Sequence, residues 1–141
     1  MKSFYLSCIL CLMSFTMSSQ TVLGKWVKSD EQGVETYVVE LYTKEDKVYG
    51  KIVDVLANVE KEALCEKCTG EDYDQPIIGL EIIKGLTFDG TCYRNGRILS
   101  PEKGKTYKCR LSLEQGNPNV LDVREYMAFI YETQYWRRLK E

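Results

Sequence analysis

Apolar side chains recur at every second position almost throughout this chain, and that spacing confines it to half-buried β-strands. Tyr37, Val39 and Leu41 share one face, with Val38, Glu40 and Tyr42 opposite. Tyr107, Cys109, Leu111 and Leu113 alternate with Lys108, Arg110 and Ser112. Turn chemistry separates the runs: Lys44-Glu45-Asp46-Lys47, Asp89-Gly90, Asn95-Gly96, Pro101 to Lys105, and Gln115 to Asn119. Asn95-Gly96 reads as a two-residue hairpin turn, because both residues tolerate positive φ. Gly50, inside Val48-Tyr49-Gly50-Lys51-Ile52-Val53, predicts a bulge or a close backbone approach. Eight to ten short strands at turn spacings of roughly 8–12 residues predict an all-β antiparallel barrel or sandwich. Residues 57–75 break the rhythm and read as one long, charged loop, with one or two helical turns expected between Asn58 and Leu64.

The first nineteen residues have the pattern of an export leader. Lys2 precedes a twelve-residue apolar run from Phe4 to Phe15, and Thr16-Met17-Ser18-Ser19 supplies small residues for cleavage. The run is shorter than the about 20 apolar residues of a bilayer span, so no membrane span is expected once it is removed. Residues 20–141 are then 122 residues, expected to form a single domain in an exported, periplasmic or extracellular protein. Without Lys2 the chain keeps 18 basic and 21 acidic residues, a net charge of −3, with no basic tract. Nucleic acid is therefore not an expected partner. The chain has no histidine, which removes the usual general base near neutral pH and the commonest metal ligand.

Four cysteines follow the leader: Cys65, Cys68, Cys92 and Cys109. An even number in an exported chain predicts disulfides, and four allow three connectivities. Chain entropy favours a long staple such as Cys68 to Cys109, worth about 4 kcal/mol against about 2 for the ring between Cys65 and Cys68; closeness in sequence favours the short ring. As a redox pair, Cys65 and Cys68 lack a following helix to lower a thiol pKa, and acidic residues surround them. As half of a zinc site they need Cys92 and Cys109 as the second pair. Gly104-Lys105-Thr106 lacks the earlier glycine of a phosphate-binding loop, since Leu99 stands there, and a strand follows it. Among the carboxylates, Asp72 and Asp74 fall in the long loop. Glu125, beside Val123, Tyr126 and Met127, is expected to face outward, although facing inward it would bind or titrate. Nine tyrosines after the leader fit strand propensity and core filling.

Gly24-Lys25-Trp26 at the start of the first strand, together with Trp136-Arg137-Arg138 in the last, resembles the calycins, the superfamily of lipocalins and fatty-acid-binding proteins. The resemblance implies a closed barrel whose floor is plugged by Trp26, with Arg138 lying across the indole by cation–π attraction. Val48 to Val53, Pro76-Ile77-Ile78-Gly79-Leu80, Ile83-Lys84-Gly85-Leu86, Gly96-Arg97-Ile98, Pro101 to Tyr107 and Thr133-Gln134-Tyr135-Trp136 follow in order. Together they resemble a secreted bacterial family, domain of unknown function 2147, itself calycin-like. Ser100 stands where that family usually has aspartate, and Glu132 where it usually has arginine. The resemblance implies a fold and a compartment, not a reaction. No cofactor and no catalytic set is expected. The leading expectation is a pocket for a small apolar or amphipathic molecule, lined by Tyr37, Val39, Leu41, Cys109, Leu111 and Val123. The alternatives are a side-chain-filled barrel serving as an interaction module of the cell envelope, and a thiol or zinc site at Cys65 and Cys68.

Overall fold

The computed structural model describes residues 21–140; the leader proposed for residues 1–19 lies outside them. Eight antiparallel strands follow one another around a closed barrel. They are β1 (Gly24–Ser29), β2 (Glu35–Lys44), β3 (Lys47–Val55), β4 (Glu81–Phe88), β5 (Tyr93–Ser100), β6 (Lys105–Glu114), β7 (Asn117–Met127) and β8 (Ile130–Arg138). Each strand pairs with the next, and β8 returns to β1 through Trp26 opposite Arg138 and Val27 opposite Arg137. Closure leaves no open sheet edge. Among the described residues, no helix is long and apolar enough to cross a membrane.

Alternation decides the interior. Trp26, Val39, Leu41, Ile52, Ile83, Leu86, Ile98, Leu111, Leu121, Val123 and Trp136 are each no more than 2% exposed. They come from all eight strands, so the lower and middle barrel is solid. Gly50 sits where the β3–β4 register shifts, with Leu41 and Ile83 against it.

Three expectations are corrected. Asn95-Gly96 is not a hairpin turn but lies inside β5. There Tyr93 pairs with Leu111 and Gly96 with Cys109, so β5 carries one residue more than β6 across that interval. Asn95, at φ 65°, absorbs the extra residue as a bulge. Gly96 turns inward, where a Cβ would meet the Lys84 carbonyl oxygen at 2.6 Å. The turn between β4 and β5 forms instead at Asp89–Cys92, whose amides at Thr91 and Cys92 donate to Asp89 Oδ1 at 2.9 Å. The expected helical turns between Asn58 and Leu64 are absent. That stretch is turns and extended chain, and the one helical turn of the loop is the 3₁₀ segment Gly70–Asp72. The loop doubles back on itself instead, with Leu64 bridging Pro76, Cys65 N donating to Gln75 O at 2.8 Å and Ile77 N donating to Ala63 O at 2.9 Å. The third correction concerns Glu125, which faces inward and is 4% exposed.

Candidate functional site

The two ends of the barrel differ. At the floor, Trp26 is fully buried, and its Nε1 donates to the Val22 carbonyl at 2.8 Å. The Arg138 guanidinium lies 4.3 Å from the indole ring and donates to the carbonyls of Leu23, Thr21 and Pro118 at 3.2, 2.9 and 3.2 Å. This arrangement satisfies the cation with backbone oxygens while its face covers the ring, closing that end.

The opposite end is a cup of about 790 Å³, walled by the β1–β2 loop, the β5–β6 turn and the β7–β8 hairpin. Its side chains are polar. Lys28, two residues beyond Trp26 on the same inner face, is 5% exposed; its Nζ lies 3.6 Å from Glu102 Oε1 and 5.6 Å from the centre of the Tyr37 ring. Burial, with the Glu102 carboxylate beside it, pushes the Tyr37 phenol up to about 12. Lys103 pairs with Glu31 at 3.5 Å.

At the bottom of the cup, three side chains form a directed chain. Trp136 Nε1 donates to Gln134 Oε1 at 3.1 Å, and Gln134 Nε2 donates to Glu125 Oε1 at 3.0 Å. An indole nitrogen can only donate, so it fixes which end of the Gln134 amide faces the carboxylate. Glu125 is paired in register with Glu132 on the neighbouring strand, which brings two carboxylates to the same inner face. Burial is the main force raising the Glu125 pKa above its ordinary 4.5; Lys28 and Lys103 oppose it, while Glu132 and Glu102 add to it.

That shift has a sign that can be tested. The unfolded chain ionises Glu125 near 4.5, whereas the fold resists the charge, so stability falls as pH rises above 4.5 and levels once the folded group is ionised. Glu125→Gln keeps an acceptor for Gln134 and is expected to melt higher than the parent at pH 7, with the gain vanishing below pH 4.5. Calorimetry across that range measures it. A variant less stable at neutral pH would mean that Lys28 and Lys103 hold the carboxylate more firmly than burial opposes it.

The residues expected to line a pocket do not line this cup. Val39, Leu41, Cys109, Leu111 and Val123 pack beneath it at 0–3% exposure, and Tyr37, at 5%, does not line it but lies under Lys28 and beside Glu102, two residues that do. Large apolar residues at consecutive inward positions fill a small barrel rather than hollow it. Ser100 and Glu132 both stand in the cup wall. Asp72 and Asp74 remain in the loop, and Gly104-Lys105-Thr106 runs from a turn into β6.

None of the three connectivities of four cysteines is formed in full: the short ring closes, and the disulfide expected of Cys92 and Cys109 does not. Cys65 and Cys68 are bonded, with Cα atoms 5.3 Å apart, while Cys92 and Cys109 are free and buried. The bonded pair is 1% and 3% exposed, which denies an attacking thiolate the access that exchange requires. Burial pushes the Cys109 thiol up to about 12, far from a reactive thiolate. No cluster of three or more metal-ligating side chains occurs among the described residues.

A closed eight-strand antiparallel barrel, floored by a tryptophan under an arginine and open at the other end, defines a lipocalin-like fold. The chain belongs to the family described as uncharacterized protein conserved in bacteria (DUF2147), whose model matches residues 24–138. In structure it is similar to HP1028 of Helicobacter pylori, described as belonging to the lipocalin family: TM-score 0.73 and 16% identity, covering 86% of this chain and 84% of that one. No curated protein matches it.

Proposed function

We propose that this protein is an exported, non-catalytic binding protein that takes one small amphipathic molecule into its cup, cationic end first. Glu125 carries the reading: a buried carboxylate at the base of the cup, with Glu132 opposite and its own orientation fixed through Gln134 and Trp136. The two lysines of the cup already face Glu102 and Glu31, and Asp30 Oδ1 accepts from the amides of Gln32 and Val34, so Glu125 and Glu132 are the carboxylates left for a protonated amine. A purely apolar ligand would strip water from both without replacing it, which costs free energy. The apolar run of residues 4–15 supports export to the envelope.

The packed lower barrel favours a second reading, an interaction module with no ligand. One experiment separates the two. Native mass spectrometry of protein purified from its own host detects any bound molecule. Titration with dodecylamine and with dodecanoate, followed by tryptophan fluorescence, then tests the charge preference, since Trp136 forms the end of the hydrogen-bonded chain. The proposal expects the amine to bind at least about 10-fold more tightly, and Glu125→Gln to remove most of that preference. No bound mass and no response to either probe would leave the solid-barrel reading.

A further inference from the structure

The outer surface holds a feature that the cup does not explain. Strand register aligns Lys84 with Arg97, Arg97 with Lys108, Lys108 with Tyr126 and Tyr126 with Tyr131. These five residues form one row across β4 to β8, on the face opposite the core, spanning about 20 Å at the usual strand spacing. Lys84, Arg97 and Lys108 are exposed. Neither they nor Arg110, one step along β6, have an ion-pair or hydrogen-bond partner among the described residues. Between Arg97, Lys108, Arg110 and Tyr126 lies a groove of about 450 Å³. Arg124 stacks 4.1 Å over Tyr131, and its Nε has no partner among the described residues. Among the acidic side chains near this face, Asp89 is paired with Arg94 at 2.7 Å, and half-buried Asp122 stands one step beyond Arg124 with its Oδ1 unpartnered among the described residues. Glu114 lies two steps beyond Arg110 along β6, and Glu132 follows Tyr131 in β8, facing the cup. In a chain of net charge −2, this is a local concentration of uncompensated positive charge.

The row ends at the β7–β8 hairpin, whose tip is apolar. Phe129 is 100% exposed, Ile130 62% and Tyr131 56%. An exposed hairpin tip of this composition gains nothing from water.

We infer that this face docks on an anionic lipid bilayer, with Phe129 and Ile130 entering the interface and Arg97, Lys108 and Arg110 meeting headgroup phosphates. The two observations point to the same partner for different reasons. Cations attract a negatively charged leaflet, and an aromatic and apolar tip gains where hydrocarbon meets headgroups. A soluble polyanion would satisfy the cations and leave the tip in water. The same hairpin is a wall of the cup, so docking there holds the mouth beside the bilayer. The inference stands whether or not the cup holds a ligand.

Flotation with vesicles of phosphatidylcholine, with and without one third phosphatidylglycerol, tests it. The protein is the chain secreted by an expressing bacterium, its N-terminus read by intact mass. At low salt the anionic vesicles are expected to bind at least about 10-fold more tightly than the neutral ones, with the difference fading as salt screens it. The triple variant Arg97→Gln, Lys108→Gln, Arg110→Gln is expected to lose roughly 100-fold on anionic vesicles, at about fivefold per cation. Phe129→Ser with Ile130→Ser is expected to lose on the order of 10-fold on anionic vesicles, by removing the inserted surface. Lys44→Gln with Lys47→Gln, at the opposite end of the barrel, should change nothing. All variants are surface changes, and circular dichroism confirms their folding. Equal flotation on both vesicle types, parent and triple variant alike, would overturn the inference. Retention by soluble dextran sulfate without flotation on anionic vesicles would also overturn it, by assigning the row to a polyanion.

Discussion

Trp26→Ala is expected to destabilise the barrel by about 3–5 kcal/mol, the cost of deleting a fully buried aromatic side chain and leaving its cavity. For a domain of this size that is a fall of roughly 10–20 °C in Tm. Two local features place the effect high in that range. The β1–β8 seam, which closes the barrel, has only two register pairs, Trp26 with Arg138 and Val27 with Arg137, whereas β7 and β8 pair over eight. Side chains therefore do at the seam what backbone pairing does elsewhere. Arg138 spans from β8 to the carbonyls of Leu23 and Thr21, while Arg137 donates twice to Glu35 at 2.7 Å. Removing the indole takes away the surface on which Arg138 rests and orphans the Val22 carbonyl it caps. Trp26→Phe separates the contributions, since it restores most of the volume without the Nε1 donor, and is expected to recover over half of the loss. Thermal unfolding of the two variants checks the prediction. A Tm for Trp26→Ala within a few degrees of the parent would show that the floor contributes little to closure.

Much of this was legible because a barrel needs only alternation, turns and a plug. Trp26 and Trp136 both stand two residues from a polar side chain on their own strands, Lys28 and Gln134, and those four side chains face inward together. Counting by two from either tryptophan leads from the floor into the cup, and counting by two along Leu121, Val123 and Glu125 places the carboxylate inward as well. A charged residue is ordinarily assigned to solvent, and that habit outweighed the periodicity at Glu125. The location of the cavity was not legible in the same way. Whether inward residues leave room depends on their summed volume across eight strands, which no single strand records. Asn95-Gly96 misled for a different reason: the pair that suits a tight hairpin also suits a bulge, and only the pairing with β6 distinguishes them.

Gly104→Ala is expected to cost about 2–4 kcal/mol, combining backbone strain with overpacking. Gly104 has φ +66°, and its amide donates to Ser100 O at 2.7 Å, closing the β5–β6 turn. A methyl group there would fall on the carbonyl of Lys67, inside the Cys65–Cys68 ring, with the Lys67 Cβ 3.0 Å away. The loop cannot yield without lifting Cys65, Cys68 and Ile77 from the core they cover. Loss of hydrogen-exchange protection should therefore concentrate at the amides of Cys65, Asp74 and Ile77, which hold the loop against itself. Gly104→Asn divides the two causes, because asparagine accepts positive φ but still carries a Cβ. Equal damage from both variants assigns the cost to contact with the loop, while a near-normal asparagine variant assigns it to backbone strain. Reduction supplies a further check. Opening the four-residue ring removes about 2 kcal/mol by chain entropy, yet it frees Lys67 to move aside. The alanine penalty is thus expected to shrink in reduced protein, so that the two perturbations together cost less than their sum. Full additivity would show that the turn and the disulfide loop act independently.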